Sequence, residues 1–67
     1  MCESAAYLKE GKTERLLMRE VASIRPHADG LVLTDVLGEE QIVNARVAEI
    51  DFLGHRVTLA PAPDAKR

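Results

Sequence analysis

A single cysteine, Cys2, stands in a chain of 67 residues. One thiol excludes an internal disulfide and any zinc finger built on paired cysteines. Aromatic residues are almost missing: there is Tyr7, there is Phe52, and there is no Trp. Few platforms are left on which nucleic-acid bases could stack. Nine Lys and Arg stand against 11 Asp and Glu, for a net charge of −2. The two signs are interspersed, so the basic face that marks a nucleic-acid binder is not expected. No apolar run approaches the roughly 18 residues of a membrane span, and no stretch is organised as a signal peptide. A lone thiol with no export signal fits a reducing, cytoplasmic setting. No Ser-His-Asp set, paired acid–base site or glycine-rich phosphate loop is apparent, so the chain is not expected to be an enzyme.

What is present is an aliphatic core composition, with 46% hydrophobic residues drawn mainly from Val, Ile, Leu and Ala. The length allows one domain, assigned to residues 1–60, with a flexible C-terminal tail at 61–67 where Pro, Ala, Asp, Lys and Arg show no core pattern. Below roughly 70–80 residues a fold usually needs a staple: a disulfide, a metal or a partner chain. With one cysteine, a second copy and a metal shared with it are the staples available.

Along the chain, alternation and turn residues predict short strands. Residues 2–9 alternate Cys2, Ser4, Ala6 and Leu8 against Glu3, Ala5, Tyr7 and Lys9, and Gly11 can supply the positive φ of the following turn. Thr13–Arg25 is ambiguous. Leu16, Leu17, Glu20, Val21 and Ile24 approach helical spacing; as strands, the segment divides into 13–18 and 21–25 with a kink at Arg19-Glu20. Pro26 stops a helix and belongs at a sheet edge. Asp29-Gly30 suits a tight hairpin turn. Residues 31–36 (Leu-Val-Leu-Thr-Asp-Val) are the clearest strand. Gly38-Glu39-Glu40 turns the chain into a short strand at 41–43. In 47–52, Ala48, Ile50 and Phe52 form the apolar side and Glu49 and Asp51 the solvated one. A turn at Leu53-Gly54-His55 leads to a last strand at 56–59. Strands spaced every 8–12 residues predict an all-β barrel or sandwich.

Cys2 is the residue with chemistry to offer. If Met1 is removed, its α-amine, which ordinarily titrates at about 7.7–8.0, and its thiol, near 8.5, lie on adjacent carbons. Together they can close a five-membered chelate ring on a metal. The plainer reading is that a free cysteine serves as a small buried hydrophobe. His27 and His55 both fall at predicted turns, where a histidine is most often a solvated surface residue. Glu39-Glu40 reads as a solvated turn, and Arg15, Arg19, Arg25, Arg46 and Arg56 as strand-edge charges that discourage aggregation.

With its Met1-Cys2 start, the glycine turn at 11, Val-Ala-Ser-Ile at 21–24, the Gly30 turn, Leu31–Val36, Gly38-Glu39-Glu40 and the final hairpin from Ile50-Asp51 to Leu59, the chain resembles the CooT family of small nickel-binding proteins. That family is associated with maturation of carbon monoxide dehydrogenase. The resemblance covers residues 1–60, and only Met1-Cys2 is functionally diagnostic. It implies a small Sm-like or SH3-like β-barrel of about five to seven short strands, with strands rather than a helix over Thr13–Arg25. It also implies a homodimer, and Ni(II) held through Cys2 as the metal ligand. Ni(II) favours square-planar nitrogen and sulfur donors. Two copies, each giving a thiolate and either the Cys2 amine or the Glu3 amide, would supply four.

The implied function is that of a metallochaperone-like accessory protein serving a nickel enzyme. Two alternatives compete with it. An Sm-like RNA-binding module follows from fold analogy alone, which is a weak warrant. A hydrogenase-maturation chaperone of the HypC type also begins Met-Cys, but Glu3-Ser4-Ala5 stand where that type usually has Gly and Pro.

Overall fold

The computed structural model describes residues 4–62. Six strands follow one another: β1 (Ser4–Glu10), β2 (Thr13–His27), β3 (Gly30–Asp35), β4 (Glu40–Val43), β5 (Ala45–Asp51) and β6 (Arg56–Pro61). There is no helix among the described residues. They form one sheet in the order β4-β3-β2-β1-β6-β5, antiparallel throughout except for the parallel pair β1–β6.

The two edge strands, β4 and β5, are consecutive in sequence and separated only by Asn44. Five inter-strand steps in a flat sheet would part them by about 24 Å. Two Cα steps span at most about 7.6 Å. The sheet must therefore curl back on itself, and it forms a half-barrel. A hydrogen bond from the Ala62 N–H to the Asn44 carbonyl (3.2 Å) ties the residue after β6 to this closing corner.

Strand β2 makes the curl possible. Its first half pairs with β1 up to Val21↔Ser4, and its second half pairs with β3 from Val21↔Asp35 onward. Register shifts fall between Val21 and Ser23 on one side and opposite Ser4–Tyr7 on the other. Such bulges bend a strand and increase its twist. The two strands expected on either side of Arg19-Glu20 are thus one 15-residue strand, irregular where the kink was expected. Pro26 lies within it, paired with Leu31. Among the described residues β1 pairs with β2 only as far as Val21, so there this half of β2 has a sheet neighbour on one side only, which satisfies the edge requirement of proline.

Ala6, Leu33, Ala45, Val57 and Leu59 form the buried cluster, with Leu8, Leu17, Met18, Val21, Ile24, Leu31 and Val43 packed against it. Ala6 lies between Met18 and Val57 in register, and its small side chain suits a central strand flanked closely on both sides. In β3 both faces are covered: Leu33 is buried on the inner face, and Val32, between Arg25 and Ile42 in register, is buried on the outer one.

The expected apolar face of 47–52 is corrected by the structure. Val47 pairs with Leu59 and Glu49 with Thr58, so Ala48 is bulged out. The bulge shifts the alternation by one residue. Val47 and Ile50 share the side of Leu59 and Val57, while Phe52 lies beyond the strand in the turn, 82% exposed. One further strand boundary differs from expectation. Pro61 pairs with Ala45 as part of β6, so the sheet runs past residue 60. Residues 63–67 of the expected tail lie outside the described residues.

This face assignment predicts an inversion of the usual size rule. Val57→Ala, at a buried site, should lower stability by about 2 kcal/mol. Phe52→Ala, the larger truncation at an exposed site, should stay within about 0.5 kcal/mol. Urea denaturation of both variants checks this; an equal or larger cost at Phe52 would mean that the turn packs inward.

Candidate functional site

Cys2, the expected metal ligand, and Glu3, whose amide is one candidate for a further donor, lie outside the described residues, which begin at Ser4. What the structure describes is the root of β1, from Ser4 onward. Ser4 pairs with Val21 of β2, and the next residue, Ala5, pairs with Arg56 of β6. The Ala5 N–H donates to the carbonyl of His55 at 3.0 Å. Ala6, fully buried, fixes the strand one residue further in. The first described residues are therefore held on both sides by backbone pairing.

The β5–β6 turn, Asp51–His55, borders this root. It is a tightly specified turn. The Gly54 N–H donates to Asp51 Oδ1 at 3.0 Å. A Cβ at Gly54 would lie 2.8 Å from Asp51 Oδ2, so the carboxylate occupies the space that glycine leaves. His55 adopts φ 55°, and among the described residues it alone has a positive φ without being glycine. Histidine is among the residue types that tolerate this region best.

The structure separates the two histidines. His55 adjoins Ala5 through its carbonyl. His27 ends β2, six residues beyond Val21, or about 20 Å along the strand from the level of Ser4. Its Nδ1 accepts the Asp29 N–H at 2.9 Å, which commits that nitrogen to the turn before β3. Among the described residues, no group of three or more His, Cys, Asp or Glu side chains is assembled that could hold a metal ion.

One cluster escaped the sequence reading. On the face opposite the core, Arg56 Nη2 donates to Glu14 Oε1 at 2.8 Å, and the guanidinium carbon lies 4.3 Å from the centre of the Tyr7 ring. Three strands, β6, β1 and β2, are joined at this point. The hydrogen bond to Glu14, followed by that carboxylate's charge, raises the Arg56 pKa further above its ordinary value. Nothing in the linear spacing of residues 7, 14 and 56 signals the cluster; only the parallel β1–β6 pairing brings them together. The second ion pair, Arg25 Nη2 to Glu40 Oε2 at 3.1 Å, is well exposed on both sides and has the small effect usual for such pairs.

Comparison with known proteins follows the same outline. The family described as "CO dehydrogenase accessory protein CooT" matches residues 1–60. The chain is similar to a crystal structure assigned to CooT from Carboxydothermus hydrogenoformans, at 26% identity and a TM-score of 0.85, over 92% of this chain and 100% of that one. No curated relative matches. Among the described residues no helix is long and apolar enough to cross a membrane.

Proposed function

The chain belongs to the CooT family of CO dehydrogenase accessory proteins, and from that premise we propose that it binds Ni(II) through the Cys2 thiolate and carries it as cargo toward a nickel enzyme. It acts as an accessory protein and not as an enzyme. The observation that supports the nickel reading best is the assembly of the root of β1. Ser4 and Ala5 are held between β2 and β6, and Cys2 stands two residues before Ser4 in the sequence. Within 4–62 no competing side-chain cluster offers itself to a metal.

One thiolate does not fill a square plane. The nearest further donors belong to the same stretch of chain: the Cys2 amine once Met1 is gone, or the deprotonated Glu3 amide. A second copy related by a two-fold axis doubles the set to four, with nickel at the interface of a homodimer. A small set of buried residues, dominated by Ala6, Leu33, Ala45, Val57 and Leu59, is consistent with a chain that gains stability from a partner. The curled sheet is read as an Sm-like or SH3-like barrel, and the setting as the cytoplasm. His55 adjoins the root of β1 and His27 does not, so His55 is the histidine placed to contribute if sulfur and main-chain nitrogen fall short.

These donors must lose protons to bind metal, so nickel affinity should fall as pH is lowered below the thiol and amine pKa values, by up to about tenfold per pH unit for each proton displaced. One extra N-terminal residue turns the Cys2 amine into a peptide amide, whose proton is far harder to remove, and should weaken nickel binding and alter the thiolate-to-nickel absorption. Calorimetric titration of both forms with light scattering in parallel is the test. Identical affinities and spectra would remove the amine from the site. A scattering mass of one chain at saturating nickel would remove the dimer.

A further inference from the structure

Among the described residues, strand β5 is an edge of the sheet and pairs with β6 alone. From Arg46 to Asp51 every residue of it is exposed. Val47 and Ile50 lie on the inner side with Leu59 and Val57, yet they are 40% and 49% exposed. The inner face is therefore open along this edge. No backbone hydrogen bond joins Arg46–Asp51 to any described strand but β6. An unpaired edge of this kind can accept one more strand.

The bulge decides which strand fits. Ala48 and Glu49 together oppose Thr58, so the alternation is broken once, at the middle of the exposed run. Arg46, Glu49 and Asp51 share the outer face with Ala60, Thr58 and Arg56, while Val47 and Ile50 share the inner one. Read in either direction, the run is a charged outer residue, an apolar inner residue, the bulge pair, an apolar inner residue and a charged outer residue. Two copies laid antiparallel about a two-fold axis between Ala48 and Glu49 match face for face. Arg46 then opposes Asp51 of the second copy, and Val47 opposes Ile50. In a regular strand residues 46 and 51 point to opposite faces, as do 47 and 50, so without the bulge this register does not exist. A shift of one residue either way sets Val47 against Glu49 or Asp51, an inner residue against an outer one.

Charge favours the same register. Opposite charges directly across a strand pair stabilise it, and like charges oppose it. Asp51, which faces Arg56 within its own chain, comes to lie between two arginines. A bulge and charged side chains ordinarily blunt an edge strand; here their order is self-complementary.

We propose that two copies of this chain associate through β5, edge to edge, in an antiparallel β5–β5 pair across a two-fold axis between Ala48 and Glu49. The contact is isologous and needs no metal. β1 stands two strands away from β5, so the contact is distinct from the nickel-bearing one of the proposed function and does not rest on it. Six residues a side is small against the roughly 20–30 of a standard interface, and the pairing is weak and concentration-dependent.

Sedimentation equilibrium of the full chain, with reductant and a chelator and at chain concentrations up to about 1 mM, measures the contact without metal. The native chain should shift reversibly from one copy to two across that range. Ala48 opposes Glu49 of the second copy, and this pairing occurs twice in a dimer. Ala48→Lys should therefore tighten the dimer by at least about threefold, and Ala48→Glu should loosen it by at least as much. Both should melt as the native chain does, since Ala48 is exposed. Leu37→Lys and Leu37→Glu make the same changes of net charge on an 82% exposed turn and should leave the dimer unchanged. Cys2→Ser should keep it. A metal-free chain that stays single at the highest concentration would overturn the proposal. So would a dimer indifferent to the sign of charge at 48, or one that responds equally at 37. A dimer that forms only with nickel, or that is lost in Cys2→Ser, would overturn it too and assign association to the metal site. A mass of two chains both without and with nickel, sensitive to charge at 48, would support it and remove the nickel-bridged contact.

Discussion

Cys2→Ser is expected to lower nickel affinity by more than about a hundredfold. Mutation of residues that merely orient a metal ligand already costs about 10–100-fold, and Cys2 is the only thiol in the chain. A serine hydroxyl offers a hard, protonated oxygen in place of a soft thiolate, and Ni(II) in a square plane favours nitrogen and sulfur. The fold should be unaffected. The described sheet begins at Ser4, and its pairing with Val21 and Arg56 is made by Ser4 and Ala5. The measurement is a nickel titration of the variant beside its thermal melt. An unchanged isotherm with an unchanged melt would defeat the proposed site outright. His27→Ala combined with His55→Ala should cost much less, since His27 Nδ1 already serves the turn at Asp29.

Gly30→Ala should destabilise the fold by at least about 3 kcal/mol, combining left-handed backbone strain of about 1–3 kcal/mol with steric overlap. Gly30 has φ 131°, a conformation that L-residues with a side chain rarely adopt. An added Cβ would also lie 2.2 Å from the Val43 carbonyl oxygen, 2.9 Å from the Asn44 Cα and 3.0 Å from the Ala45 nitrogen. All three are backbone atoms at the β4–β5 corner that closes the curled sheet, so no side chain can rotate away. Domains of this size have only about 3–10 kcal/mol in total, so much of the variant should be unfolded at 37 °C. Gly11→Ala is the control. Its φ of 61° is also left-handed, yet no atom lies within 4 Å of the added Cβ, and the cost should be limited to about 1–2 kcal/mol of backbone strain. Equal melting temperatures for the two variants would show that the Asn44 corner gives way without resistance.

Much of this protein was legible in the residues. Gly11, Asp29-Gly30 and Gly38 each mark a turn because a positive φ is cheap for glycine, and all three glycines have one. Leu31–Val36 alternates as a strand with Leu33 inward, and β3 is there. The composition excluded disulfides, and the resemblance pointed to the family that the match over residues 1–60 establishes. These are local properties: a turn needs a permissive backbone, and a short strand needs alternation.

Other features were decided only by the tertiary structure. Whether Thr13–Glu20 is helix or strand cannot follow from its own propensity, which favours helix. It is settled by β1 and β3, which satisfy the backbone of β2 on its two sides along different halves of its length. The bulge at Ala48 puts Val47 instead of Ala48 on the side shared with Ile50, because one inserted residue shifts a period of two, and sequence alternation alone does not reveal it. The clamp of Arg56, Tyr7 and Glu14 exists because a parallel pairing brings β6 beside β1, across 42 residues of chain from Glu14. By itself the sequence determined where this chain turns. The pairing of distant strands decided what is buried, what protrudes, and which histidine stands beside the first strand, because each of these depends on neighbours that are remote in the chain.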